Sequence, residues 1–386
     1  MKLAGGMARL GTESAFDILA RAEALKAKGR DIINLGIGQP DFPTPPNIVE
    51  AAQKALADGH HGYTPANGIL PLREAVAEDI AKYRKATISP DHVLIQPGGK
   101  PTMFFTVLMF GEPGVEIMYP NPGFPIYESV INFTGAKAVP IGLHESTGFS
   151  FNADEVLAQI TDRTRLIIIN SPANPTGGIV SEAELDKFVA GLDKWPDVAV
   201  LSDEIYSRML YDGYAHKTML DYESIRDRLI LLDGWSKTYA MTGWRLGYSV
   251  WPEELIGHAT RLAINDHSCV SAATQWAGIE ALKGPQDAAD AMVKAFDERR
   301  GIIVDELNAL EGFNCVTPLG AFYAFPNIAE TGRTSQQLQD LMLDEAGVAT
   351  VSGTSFGSFG EGYVRFSYAN SAENIREAMS RIRAVL

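Results

Sequence analysis

Apolar residues along the chain come in short blocks, and polar or glycine-rich stretches separate them. Residues 14–29 carry Phe16, Ile18, Leu19, Ala22 and Leu25 with charges between them, which predicts an amphipathic helix stopping at Gly29. A short apolar run at 32–35 precedes a Gly- and Pro-rich loop at 36–46, and further helices are expected over 46–58 and 70–85. From there the pattern alternates. Strands are expected at 93–95, 115–119, 138–141, 166–169, 198–201 and 229–232. Helices are expected at 103–110, 127–133 and 181–194. Ser181 followed by Glu184 reads as a capping box opening the last of these. Residues 253–311 read as mostly helical, and 312–386 as short strands (320–325 and 363–368) with two helices.

Strands that alternate with helices make an α/β fold, a mainly parallel sheet with helices on both faces. Several strands are continuous apolar runs, as strands buried on both faces should be. The C-terminal stretch reads as a smaller α+β domain. The expected division is a large domain over 48–285 and a small one formed by 1–47 with 286–386. Ligands of such sheets lie beyond the C-terminal strand ends. The segments following these strands are polar, Gly-rich and aromatic: Gln96-Pro97-Gly98-Gly99-Lys100, Pro120-Asn121-Pro122-Gly123-Phe124, Asn170 to Gly177, Ser202 to Tyr206 and Asp233 to Lys237.

Composition narrows the field. Of 386 residues, 46% are hydrophobic and 21% charged, ordinary for a folded globular chain. Thirty-three basic against 48 acidic residues give a formal charge of −15, which argues against nucleic acid or an anionic membrane surface as partner. Cys269 and Cys315 have no CxxC spacing, so neither a disulfide framework nor a zinc site is expected. The histidines form no metal-binding pattern. No apolar run suits a signal peptide or a membrane span. The expected location is the cytoplasm.

The order and spacing of these loops carry a resemblance. From Leu35-Gly36-Ile37-Gly38-Gln39-Pro40-Asp41 through Asn174-Pro175-Thr176-Gly177 and Ser236-Lys237 to Val364-Arg365-Phe366-Ser367, the chain resembles the class I/II aminotransferases. These are fold-type I enzymes dependent on pyridoxal phosphate. A lone lysine after a strand is ordinarily a solvated charge. The resemblance instead implies that Lys237 forms the Schiff base with the cofactor and later moves the substrate proton. That role needs an amine whose pKa can fall, which lysine permits and arginine does not.

The same resemblance assigns the remaining site. Asp203 meets the pyridine nitrogen, where a carboxylate favours the protonated ring. Asn174 and Tyr206 bond its phenolic oxygen, and Phe124 stacks on the ring. Gly98, Gly99 and Lys100 form a phosphate-binding turn at a helix start, aided by Arg245. Tyr63 reaches the phosphate of a neighbouring subunit, which implies a homodimer. Arg365 grips the substrate carboxylate with its planar fork, with Gly38 and Asn174 beside it. Lys100 is also placed to meet a second, distal carboxylate, which favours aspartate or glutamate with 2-oxoglutarate. Phe16, Phe124, Tyr127 and Phe322 fall where they could border the substrate, so aromatic and branched side chains stay open. One departure stands out: Gly234 replaces the hydroxyl residue often found three positions before the lysine, and Ser236 is its nearest candidate substitute.

Two other readings stay open at this point. A carbon–sulfur lyase could use the same scaffold, because the lysine does not decide which bond breaks. A non-enzymatic sensor domain is the other. Regulators of that kind add a basic DNA-binding domain in front, which neither the start of this chain nor its charge suggests.

Overall fold

In the computed structural model, which describes residues 1–386, seven strands form one sheet. They are β1 Val93–Gln96, β2 Glu116–Asn121, β3 Lys137–Gly142, β4 Thr164–Asn170, β5 Ala199–Asp203, β6 Leu229–Gly234 and β7 Gly247–Val250. Their spatial order is β1-β7-β6-β5-β4-β2-β3. Only β7 runs antiparallel to its neighbours, β1 and β6. The other six strands therefore end at one edge, where the loops singled out above collect.

The apolar runs have a direct explanation. Side chains alternate between the faces of a strand, and here they divide between two cores. Val93, Ile95, Met118, Ile167, Ile169, Val200, Leu229 and Leu231 pack on one side. Leu94, Ile117, Tyr119, Leu166, Ile168, Leu201, Ile230 and Leu232 pack on the other. Both faces are dry, so neither parity along these strands is polar.

The C-terminal part builds a second unit around a third core, which includes Phe296, Ile303, Phe322, Phe366 and Ile375. The long helix Asp287–Asn308 leads into it. Its antiparallel sheet is Val351–Ser352, Val364–Ser367 and Tyr323–Ala324. The expected strand at 320–325 shrinks to those two residues. Ile33–Asn34 pairs in parallel with Val348–Ala349, which ties the N-terminal part of the chain to this unit. The first residues go elsewhere. Gly5–Arg9 lies against the helix Ile126–Thr134, where Arg9 donates to the carbonyls of Asn132 and Phe133 and the Gly11 amide donates to Ser129.

One local expectation needs correction. Ser181 caps the helix Glu182–Gly191 by accepting from the Glu184 amide, but the Glu184 carboxylate does not reach back. It accepts instead from the Ala153 amide, 2.5 Å away, at the start of the neighbouring helix Ala153–Ala158. A tertiary partner has displaced the local one. The capping box does occur elsewhere, between Thr334 and Gln337.

A buried charge cluster fixes the ends of β5 and β6. Arg84, buried at the end of the helix Leu70–Tyr83, binds Glu204 at 2.9 Å and also pairs with Asp233. Glu204 additionally accepts from Thr218, the Met219 amide and His216. Asp233 accepts from Ser207 and from the Gly234 amide. Removing one partner from such a cluster strands a charge without water. Arg84→Met should therefore destabilise the fold by about 3–5 kcal/mol. Urea unfolding checks this, and an unchanged midpoint would contradict it.

Candidate active site

One cavity of about 660 Å³ opens at the C-terminal edge of the sheet, between the two units. Gly38, Gly99, Lys100, Phe124, Asn174, Asp203, Tyr206, Lys237, Arg245 and Arg365 all line it. Tyr63 does not. Its side chain is 93% exposed, outside this chain's own cavity. Gly98 bounds the cavity indirectly. Its φ is +89°, a conformation that favours glycine, and a Cβ there would overlap the Arg245 guanidinium. Of the two bordering rings expected near the C-terminus and helix 126–134, Tyr127 lines the cavity and Phe322 does not; its neighbour Tyr323 does.

Lys237 sits in the single-turn helix Trp235–Thr238 that follows β6. Its amine donates to the Gly38 carbonyl at 2.6 Å. Burial, and then the charge of Arg365, lowers its pKa to about 8. The neutral, nucleophilic form is thus within reach near physiological pH.

Asp203 ends β5 and is buried. Its side chain accepts from the Tyr127 hydroxyl at 2.6 Å and from the Ile205 amide at 3.2 Å. No cationic side chain pairs with it. Burial pushes its pKa up to about 7; the two hydrogen bonds oppose that rise, while the Asp233 and Glu204 charges add to it. A carboxylate this dry and this poorly compensated has room for a cationic N–H partner. Tyr127 is the residue whose part the sequence left open: it is expected only as a ring that could border the substrate, and nothing local reveals its bond to a strand residue 76 positions away.

Arg245 has left-handed backbone, with φ +53°. Its guanidinium donates to the Thr242 carbonyl at 2.7 Å and meets no carboxylate. It faces the Gly98-Gly99 turn that opens the helix Lys100–Phe110, whose first amides and dipole favour an anion. Dry carboxylate, free guanidinium and helix start together suit a molecule carrying a cationic ring nitrogen and a phosphate. Those features fit pyridoxal phosphate.

The Gly234 departure has a steric cause. A Cβ at that position would lie 2.8 Å from the Gly247 Cα on the paired strand β7 and 3.0 Å from the Leu246 carbonyl. A serine or threonine would push the two strands apart. Ser236 is the hydroxyl that lines the cavity instead.

Arg365, on the strand Val364–Ser367, is buried. It donates to Asn174 Oδ1 at 2.9 Å and to the Gly36 carbonyl at 2.5 Å. Its Nε has no partner. A buried N–H left unpaired is costly, so this one is poised for an incoming acceptor. Asn174 therefore contacts Arg365, and Tyr206 shares a 2.8 Å hydrogen bond with Tyr323, a residue the motif reading did not single out. At the mouth, Lys100 pairs with Glu13 at 2.6 Å, another residue outside the motifs.

The family model "Aminotransferase class I and II" matches residues 30–382. An aspartate aminotransferase from Pyrococcus horikoshii is 41% identical, over 93% of this chain and 92% of that protein. Aromatic-amino-acid aminotransferase 2 from Thermococcus litoralis is 37% identical over 92% of each. Among solved structures, the aspartate aminotransferase from Thermus thermophilus with maleate superposes with a TM-score of 0.94 at 32% identity, covering 100% of both chains.

The raised Asp203 value has a consequence for stability. The folded protein binds a proton there that the unfolded chain, with the ordinary value of 3.8, releases. The stability so gained is full below the ordinary value and is lost as pH rises to about 7. In cofactor-free protein, Asp203→Asn should flatten that decline, and Tyr127→Phe should extend it to higher pH. Urea unfolding at a series of pH values checks this; identical slopes in all three proteins would contradict it.

Proposed function

The chain belongs to the class I and II aminotransferases, and from that premise we propose how its residues share the work of moving an amino group. It is a pyridoxal-phosphate-dependent aminotransferase, exchanging an amino group between an amino acid and a 2-oxo acid. The observation that carries the division of roles is that the Lys237 amine, the Asp203 carboxylate and the Arg365 guanidinium line one cavity.

Pyridoxal phosphate, when bound, supplies a carbonyl carbon for nitrogen and a ring that accepts electrons from the substrate's Cα. Arg245 and the Gly98-Gly99-Lys100 turn would hold its phosphate. Asp203 would meet its ring nitrogen, and the Tyr127 hydroxyl orients that carboxylate and favours its ionised form. Asn174 and Tyr206 would serve its phenolic oxygen and Phe124 would cover its ring. Lys237 would be the residue that holds the cofactor, through its Nζ, until an amino acid takes its place. Once freed, its Nζ would be the group that takes the Cα proton; burial and then Arg365 favour the neutral amine that can accept one. Arg365 fixes the α-carboxylate, filling the vacancy at its own Nε, with Gly38 alongside.

Tyr63 we assign to the phosphate of a second subunit, in a homodimer with shared sites. Its near-complete exposure away from its own cavity supports this. Acidic amino acids are the proposed donors, with 2-oxoglutarate as acceptor. The Lys100 ammonium at the cavity mouth supports that choice, as do relatives named as aspartate aminotransferases and a relative solved with a dicarboxylate. A cytoplasmic location completes the proposal; both cysteines are free, and no helix is long and apolar enough to cross a membrane.

Lys237→Ala should keep the fold and lower transamination by about 10²–10⁴-fold. Full activity would remove Lys237 from the chemistry. Arg365→Leu should raise KM about tenfold or more for every donor, because all share the α-carboxylate. Steady-state assays with a panel of donors, run with and without a 2-oxo acid acceptor, measure both. Product formed without any acceptor would favour elimination over transfer.

A further inference from the structure

Four cations line the cavity, Lys100, Lys237, Arg245 and Arg365, against two carboxylates, Glu13 and Asp203. The reading above uses three of the cations and Asp203 for the cofactor and the α-carboxylate. The remaining two charges are bonded to each other. Lys100 Nζ lies 2.6 Å from Glu13 Oε2, and both side chains are partly exposed, at 40% and 20%. The same ammonium is 5.5 Å from the centres of the Phe16 and Phe124 rings. Cation–π attraction from two sides helps to hold Lys100 in place without Glu13.

An aminotransferase passes two substrates through one site. If one carries a side-chain carboxylate and the other a neutral side chain, the site must offer a cation to the first and hide it from the second. A fixed lysine does only half of that. An unpaired ammonium beside an aromatic or aliphatic side chain would lose water without gaining a partner. A lysine with its own removable counter-ion does both.

We propose that Glu13 is a specificity-determining residue, the internal counter-ion of Lys100 that stays for neutral side chains and yields its place to an acidic one. The inference rests on the transaminase reading above, and it names the substrate classes of that site as acidic and neutral together. The position of Glu13 suits an exchange. It is the non-helical residue just before the helix Ser14–Ala27, with φ −106° and ψ 98°. The chain two residues upstream is pinned at Gly11 to Ser129. The side chain can therefore turn away while the backbone stays anchored. Phe16 and Phe124 give a neutral side chain apolar surface beside the intact pair. An acidic side chain would have to displace Glu13 from the Lys100 ammonium before pairing there, so Glu13 should hold back acidic substrates relative to neutral ones.

The test compares Glu13→Gln, Lys100→Met and the double variant as holoenzymes. The ratio of kcat/KM for aspartate to that for phenylalanine should rise about tenfold in Glu13→Gln, and adding Glu13→Gln to Lys100→Met should change it by no more than about twofold. Succinate, a dicarboxylate without an amino group, should bind more tightly to Glu13→Gln by calorimetry, again only when Lys100 is present. An unchanged or lowered ratio in Glu13→Gln overturns the proposal, as does a rise that survives in Lys100→Met. Calorimetry separates the two readings. If no donor is transaminated yet succinate still reports the Glu13–Lys100 coupling, the transaminase reading falls and the counter-ion role stands.

Discussion

The carboxylate of Asp203 is buried at the end of a parallel strand with no cation beside it. Most of the site's architecture follows from that condition. A charge in such a place costs several kcal/mol of lost hydration unless something compensates it. Within the chain, only the Tyr127 hydroxyl and the Ile205 amide do so. Its neighbours Glu204 and Asp233 would worsen matters, and Arg84 is buried beneath the site where it pairs with both. Arg84 offsets only part of that surrounding charge, and Asp203 is left under-compensated. A ligand with a cationic ring nitrogen supplies the missing half. The same logic operates at Arg245, a guanidinium with no carboxylate, and at Arg365, whose Nε has no acceptor. Each is a polar group prepared for a partner that arrives from outside.

The sheet makes this layout possible. Six strands end at one edge, and five of them contribute one kind of group each: a glycine turn after β1, a ring after β2, an amide after β4, a carboxylate on β5 and an amine after β6. The small unit brings Arg365 from the opposite side on a strand of its own, and the N-terminal segment brings Glu13 to the mouth. The cavity proposed for substrate therefore lies between the two units. The residues proposed for the cofactor belong mainly to the larger one, while those proposed for the substrate's carboxylates come from both.

Much of this was legible in the sequence. Period and length placed six of the seven main-sheet strands because both faces of the sheet are dry, so 166–169 reads as an unbroken apolar run; β7, the antiparallel one, was not anticipated. Gly98, Asp203, Lys237 and Arg365 could be singled out because each sits in a recognisable local motif. What stayed hidden depends on contacts between distant segments. Tyr127 reads as one more helix-face aromatic until the fold brings it to Asp203. Glu13 reads as a charge before a helix until Lys100 lies beside it. The Glu184 carboxylate was expected to cap its own helix and instead caps another. Gly234 looked like a loss of a phosphate contact; the closeness of β7 gives it a steric reason that no local pattern contains.

The claim on which everything else rests is that Lys237 carries the cofactor opposite Asp203. Purified holoenzyme reduced with borohydride, digested and analysed by mass spectrometry tests it most directly. The expected result is a single phosphopyridoxyl-modified peptide, Ser236-Lys237-Thr238 within it, with the label lost in Lys237→Ala. Label on a different lysine, or a purified protein that takes up no pyridoxal phosphate at all, would contradict it.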